Sequence, residues 1–122
     1  MANIKIKTIG KYNGHDVKAN KSVNISFKLG YDQLVNTIKL TQLLNENITI
    51  VTRIGKELPI KLGMFMLRDI KIDHDGESMI KLNSQMDYVE ADNLNKLLEE
   101  TLQIMFVAEV EIETEEEENN ER

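Results

Sequence analysis

Between Ile48 and Tyr88 the apolar positions fall on one parity: Ile48, Ile50 and Ile54, then Ile60, Leu62, Met64, Met66, Ile70 and Ile72, then Ile80, Leu82 and Met86. Successive strand side chains point to opposite sides, so this alternation predicts three consecutive antiparallel strands with one buried and one wet face. Gly55 to Leu58 and Asp73 to Gly76 read as the two turns, and Pro59 stands at a strand start, where its missing N–H costs least. Gly63, inside the long second strand, predicts a bulge or bend. Arg68 falls on the apolar parity, which a bulge nearby would correct by returning it to solvent. Three more stretches alternate: Asn3–Ile9 with Ile4 and Ile6 against Lys5 and Lys7, Val23–Leu29, and Leu102–Ile112. Each predicts a strand. Gly10 to Lys21 holds Asn13-Gly14, a pair suited to a tight hairpin turn, and reads as a small hairpin or a lysine-rich mobile loop.

Two stretches carry the helical period. In Tyr31–Asn45, residues Tyr31, Leu34, Val35 and Ile38 form one stripe, while Leu40, Leu43 and Leu44 project from the other side. A helix apolar on two sides is buried on both or keeps one for a partner, which makes Leu40, Leu43 and Leu44 candidates for self-association. Ala91–Thr101 predicts a second helix, with Asp92 as N-cap and Leu94, Leu97, Leu98 and Thr101 on its stripe. The expected fold is α+β: a mostly antiparallel sheet of about six strands with two helices, which could curl into a partly open barrel of the OB type. Residues 1–112 form one domain in this reading, and residues 113–122, with nothing apolar among them, a disordered acidic tail.

Composition narrows the chemistry. The 122 residues are 41% hydrophobic and 30% charged, as in a globular domain with one core, and there is no Cys. Disulfides, thiolate catalysis and Cys-containing zinc sites are therefore excluded. No apolar run reaches transmembrane length, and Met1–Gly10 lacks the apolar core of a signal peptide, so the expected location is the cytoplasm in which the chain is made. Lys, Asn and Ile recur throughout, a bias common in AT-rich genomes, phages included; for a phage-encoded chain the cytoplasm is the host's.

The net charge of −6 is unevenly spread. Residues 1–30 set Lys5, Lys7, Lys11, Lys18, Lys21 and Lys28 against Asp16, a balance of +5. Residues 31–112 sum to −6, and residues 113–122 to −5, with Glu115, Glu116, Glu117 and Glu118 consecutive. The lysines form an anion-attracting surface if their strands adjoin. Tyr12 is the freer aromatic beside them and could stack on a base, whereas Phe27 shares the parity of Val23, Ile25 and Leu29 and belongs to the core. An acidic tail can occupy a basic face, compete with nucleic acid, or recruit basic protein partners. The alternative is a lysine-rich face that is only solvated.

Catalytic and metal patterns are weak. Asp73-His74-Asp75-Gly76-Glu77 gathers three acids and an imidazole but lacks calcium-loop spacing, and reads as a turn. The serines have no nucleophile-elbow context, and the glycines match neither the dinucleotide nor the P-loop pattern. No enzyme activity, cofactor or metal is expected.

In size, β-rich core and the Glu113–Arg122 tail, the chain resembles the small phage and bacterial single-stranded-DNA-binding proteins. That resemblance implies an OB-type barrel and a non-enzymatic role on single strands in phage-type replication or recombination; separately, the acidic tail is expected to hold a protein partner by its charge and the helix leucines to form homo-oligomers. Two features depart from it: the tail ends Asn119-Asn120-Glu121-Arg122 rather than in apolar residues, and the first helix follows only two strands. The rival expectations are an acidic protein-binding module or inhibitor that mimics nucleic acid, and a structural phage subunit.

Overall fold

The computed structural model describes residues 2–97 and 100–110. Among the described residues six strands occur in chain order: β1 (Ala2–Val17), β2 (Ser22–Leu29), β3 (Asn47–Ile54), β4 (Ile60–Ile72), β5 (Ser78–Gln85) and β6 (Thr101–Val110). They close into a barrel in the order β1-β2-β5-β4-β3-β6, with every pair antiparallel. The mostly antiparallel six-stranded sheet with two helices is as expected, and the ring is closed rather than partly open.

Bulges let the strands bend. β1 runs unbroken through the region expected to be a hairpin or loop. Its Lys11 faces both Thr101 of β6 and Lys28 of β2, and the register slips between Tyr12 and His15. Asn13-Gly14 thus makes a bulge in which Gly14 takes φ +112°, and the reversal comes later, at residues 18–21. In β4 the predicted Gly63 bulge is present, and it changes the parity. Ile50 faces Gly63 while Val51 faces Lys61, so Leu62 and Gly63 are both buried. Phe65 and Leu67 then point into the barrel, and Met64, expected in the core, is exposed. A second slip between Leu67 and Asp69 leaves Arg68 in solvent, as the parity argument required.

The core fills the barrel interior. Phe27, Phe65 and Phe106 are its largest side chains, with Val23, Ile25, Ile48, Ile50, Leu82 and Ile104 around them. Phe27 meets Phe106 edge-on, ring centres 6.2 Å apart.

Both helical segments are shorter than the periodicity suggested. α1 (Leu34–Leu40) lies between 3₁₀ turns at Tyr31–Gln33 and Thr41–Leu43. α2 (Ala91–Leu94) continues as a 3₁₀ turn over Asn95–Leu97. Glu90, not Asp92, holds the N-cap position of α2, and Asp92 sits in the first turn, where its charge suits the helix dipole. Thr101 already belongs to β6, and Leu98 lies outside the described residues. One segment joins β2 to β3 and the other β5 to β6, so they cross opposite ends of the barrel. Among the described residues, no helix is long and apolar enough to cross a membrane.

Candidate nucleic-acid interface

Strand register decides which lysines share a surface. β1 pairs along most of its length with β6, and β6 pairs with β3 on its other side. On the outer face of these three strands the side chains fall into transverse rows. Lys5, Val107 and Thr49 make one row; Lys7, Met105 and Val51 the next; Ile9, Gln103 and Arg53 the third. Lys11 and Thr101 begin a fourth. The bulge in β4 adds Lys61 beyond Val51 and Met64 beyond Thr49. The face is therefore an apolar trough of Ile9, Val51, Met105 and Val107, with Lys5, Lys7 and Lys11 along one rim and Arg53 and Lys61 along the other. No Asp or Glu occupies any of these positions, but the row beyond Lys5 and Val107 pairs Asn3 with Glu109, and Asp87 and Glu90 line a pocket with Thr49, Lys61 and Met64 on the β4 side.

Strand geometry sets its size. Lys5 to Lys11 spans about 20 Å along β1, and β1 to β3 about 10 Å across. Each of the five cations is exposed. Among the described residues, Arg53 makes one side-chain contact, 3.4 Å from Nη2 to the Lys56 carbonyl, which leaves its guanidinium available to an anion. A rim of cations beside apolar floor can hold phosphates at the edge and unstacked bases on the floor.

The remaining sequence candidates divide. Lys28 faces Lys11 across β1–β2, but its ammonium lies 3.6 Å from the Glu77 carboxylate, which offsets its charge locally. Lys18 and Lys21 are exposed at the β1–β2 turn, away from the trough. The six lysines thus do not form one patch: three share the face with Arg53 and Lys61, two sit on the turn, and one is paired.

Tyr12 requires a correction. It is 5% exposed, its ring 5.7 Å from that of Phe27 and its hydroxyl hydrogen-bonded to His15 Nδ1. Burial raises the phenol above its ordinary ionisation range. It cannot stack on a base, because β1 continues past Ile9 and alternation puts Tyr12 on the inward parity of Ile6, Thr8 and Gly10. Phe27 is buried, as its parity indicated.

Self-association through Leu40, Leu43 and Leu44 also requires correction. Leu40 and Leu43 are fully buried at the barrel mouth, and only Leu44, 38% exposed, reaches solvent. The opposite stripe is the free one: Tyr31, Val35 and Ile38 are 73%, 67% and 56% exposed. The tail residues Glu115, Glu116, Glu117 and Glu118 lie outside the described residues.

A second groove, of about 810 Å³, crosses the outside of β2 and β5 between the β1 bulge and the β4 bulge. Its lining mixes Asp16 and Asp69 with Arg68 and Lys81, so neither sign of ligand is favoured. The Asp73–Glu77 stretch is a turn: Gly76 N donates to the Asp73 carbonyl at 2.9 Å, Asp73 N to that of Glu77 at 2.8 Å, and Glu77 N to Asp75 Oδ1 at 3.1 Å. Among the described residues no three His, Asp or Glu side chains converge on a point where a metal ion could sit.

Arg53, Lys61 and the trough residues Ile9, Val51, Met105 and Val107 were missed by sequence reasoning. A signal existed, since Val51, Met105 and Val107 are apolar on the outward parity of strands whose inward parity is already apolar. What no single strand could show is that β6 lies between β1 and β3. No protein-family model matches this chain, and a search of the curated proteins finds no match either.

Proposed function

We propose that the protein binds nucleic acid without chemical turnover, through the cationic trough of β1, β6 and β3, and favours single-stranded DNA. The observation that carries this reading is the register that sets Lys5, Lys7, Lys11 and Arg53, with Lys61 beyond Val51, around an apolar floor whose own positions hold no acid. A solvated lysine face needs no such floor, and a duplex, whose bases are turned inward, makes little use of one. In this reading the barrel serves as an OB-type platform, with six closed strands in place of the usual five. The acidic residues 113–122 follow β6, the central strand of the trough, and compete for it.

Fluorescence anisotropy with labelled single-stranded and duplex DNA over a salt series tests this. Binding should favour the single strand, weaken as salt rises, and tighten when the chain is shortened after Ile112. Absence of binding at low salt by either form would end the reading. The exposed stripe of Tyr31, Val35 and Ile38 supports a second one, a self-assembling structural subunit; discrete oligomers without ligand in sedimentation would favour it.

A further inference from the structure

We propose that the depression beside Lys7 and Ile9 receives one unstacked nucleobase and reads its edge; the inference builds on the nucleic-acid reading above and extends it from phosphate attraction to base recognition. The depression encloses about 470 Å³, within the range of small-molecule sites, and lies in the trough itself. Ile9, Val51, Pro59 and Met105 give it apolar walls. With no aromatic ring among its lining residues, a base would pack there on aliphatic carbon and on the Met105 thioether.

Two amides supply the polar part. Gln33 is held rigidly, because its Oε1 accepts from Thr8 Oγ1 at 2.8 Å, from Asn36 Nδ2 at 3.0 Å and from Ile9 N at 3.2 Å. That carbonyl is fully used, while Nε2 has only a 3.4 Å contact with Asp32 Oδ2 and remains able to donate. Gln103 stands in register between Ile9 and Arg53, exposed, and an amide offers both donor and acceptor to a base edge. Lys7 and Arg53 flank the depression from opposite strands, and its lining holds no carboxylate. Phosphates on either side of the inserted base would meet these cations. Charge therefore selects an anionic chain, and the apolar walls with their amides select one whose units carry flat, hydrogen-bonding groups.

The test uses full-length protein and anisotropy at low salt. The probes are equal-length labelled strands of dT, dC and dA, an abasic sugar–phosphate strand of the same charge, and labelled polyglutamate. At least one base-bearing strand should bind about tenfold or more tightly than the abasic strand. Gln103→Ala should bring the dT, dC and dA affinities to within about twofold of one another. Equal binding of natural and abasic strands would overturn the base site and leave the phosphate-binding reading standing. Retention of base preference by Gln103→Ala would also overturn the site as drawn. Polyglutamate binding as tightly as the best DNA strand would make the trough an acidic-peptide site and overturn both readings, as would no binding by any probe.

Discussion

A methyl group at residue 63 would run into the Tyr88 carbonyl oxygen, and the backbone there holds φ +123°, which L side chains rarely adopt. Gly63→Ala should therefore destabilise the fold by about 3 kcal/mol, measured by urea denaturation, since both steric overlap and backbone strain act together. Tyr12 gives a second expectation. Its phenol ionises at higher pH in the folded chain than in the unfolded one, because burial penalises the phenolate. A raised folded value means that stability is intact below the unfolded value near pH 10 and declines above it, by about 1.4 kcal/mol per pH unit. Stability against urea should fall accordingly as pH rises past about 10, and Tyr12→Phe should remove that part of the slope. Neither property was legible beforehand: Gly63 announced a bulge but not the close approach of Tyr88, and Tyr12 looked free because the first strand was expected to end at Ile9, whereas β1 runs on and keeps Tyr12 on the inward parity of Ile6 and Thr8.

Elements were legible where periodicity was long and uninterrupted, and less so where one residue changed the count. β2, β5 and the inward row of β6 follow their sequence parity. In β4 the bulge at Gly63 carries Phe65 and Leu67 inward and Met64 outward; Met and Phe are equally apolar, so the pattern could not distinguish the two registers. Around α1 the choice between two apolar stripes was open in the sequence, and burial resolves it in favour of Leu40 and Leu43. Leu40→Ala and Leu43→Ala should each cost about 2–5 kcal/mol in urea denaturation, through lost burial and the cavity left behind. Val35→Ser and Ile38→Ser should stay within about 0.5 kcal/mol, because both side chains already face solvent.

At the scale of the molecule, the trough exists only because the ring brings β6 between β1 and β3. The charge balance of the first thirty residues pointed to a basic surface but assigned it to β1 and β2; the closed topology moves its centre to the other side of β1 and adds Arg53 and Lys61. If Lys5, Lys7 and Lys11 each neutralise one phosphate of a single strand, replacing all three by Gln should flatten the dependence of log affinity on log salt by about 2. A titration of the triple variant over the same salt series checks this, and an unchanged slope would remove those lysines from the contact. The same topology bears on how the chain folds. β6, the strand that seals the ring, is also the last of the six in sequence, so β1 and β3 each hold an unsatisfied hydrogen-bonding edge until about a hundred residues of chain have been gathered. Loop-closure entropy makes such non-local pairing slow, and folding should be late and cooperative rather than stepwise from the first strand. During synthesis, the two edges that later carry the cationic rims are open templates for stray strands, and their lysines and arginine supply the repulsion that discourages such pairing.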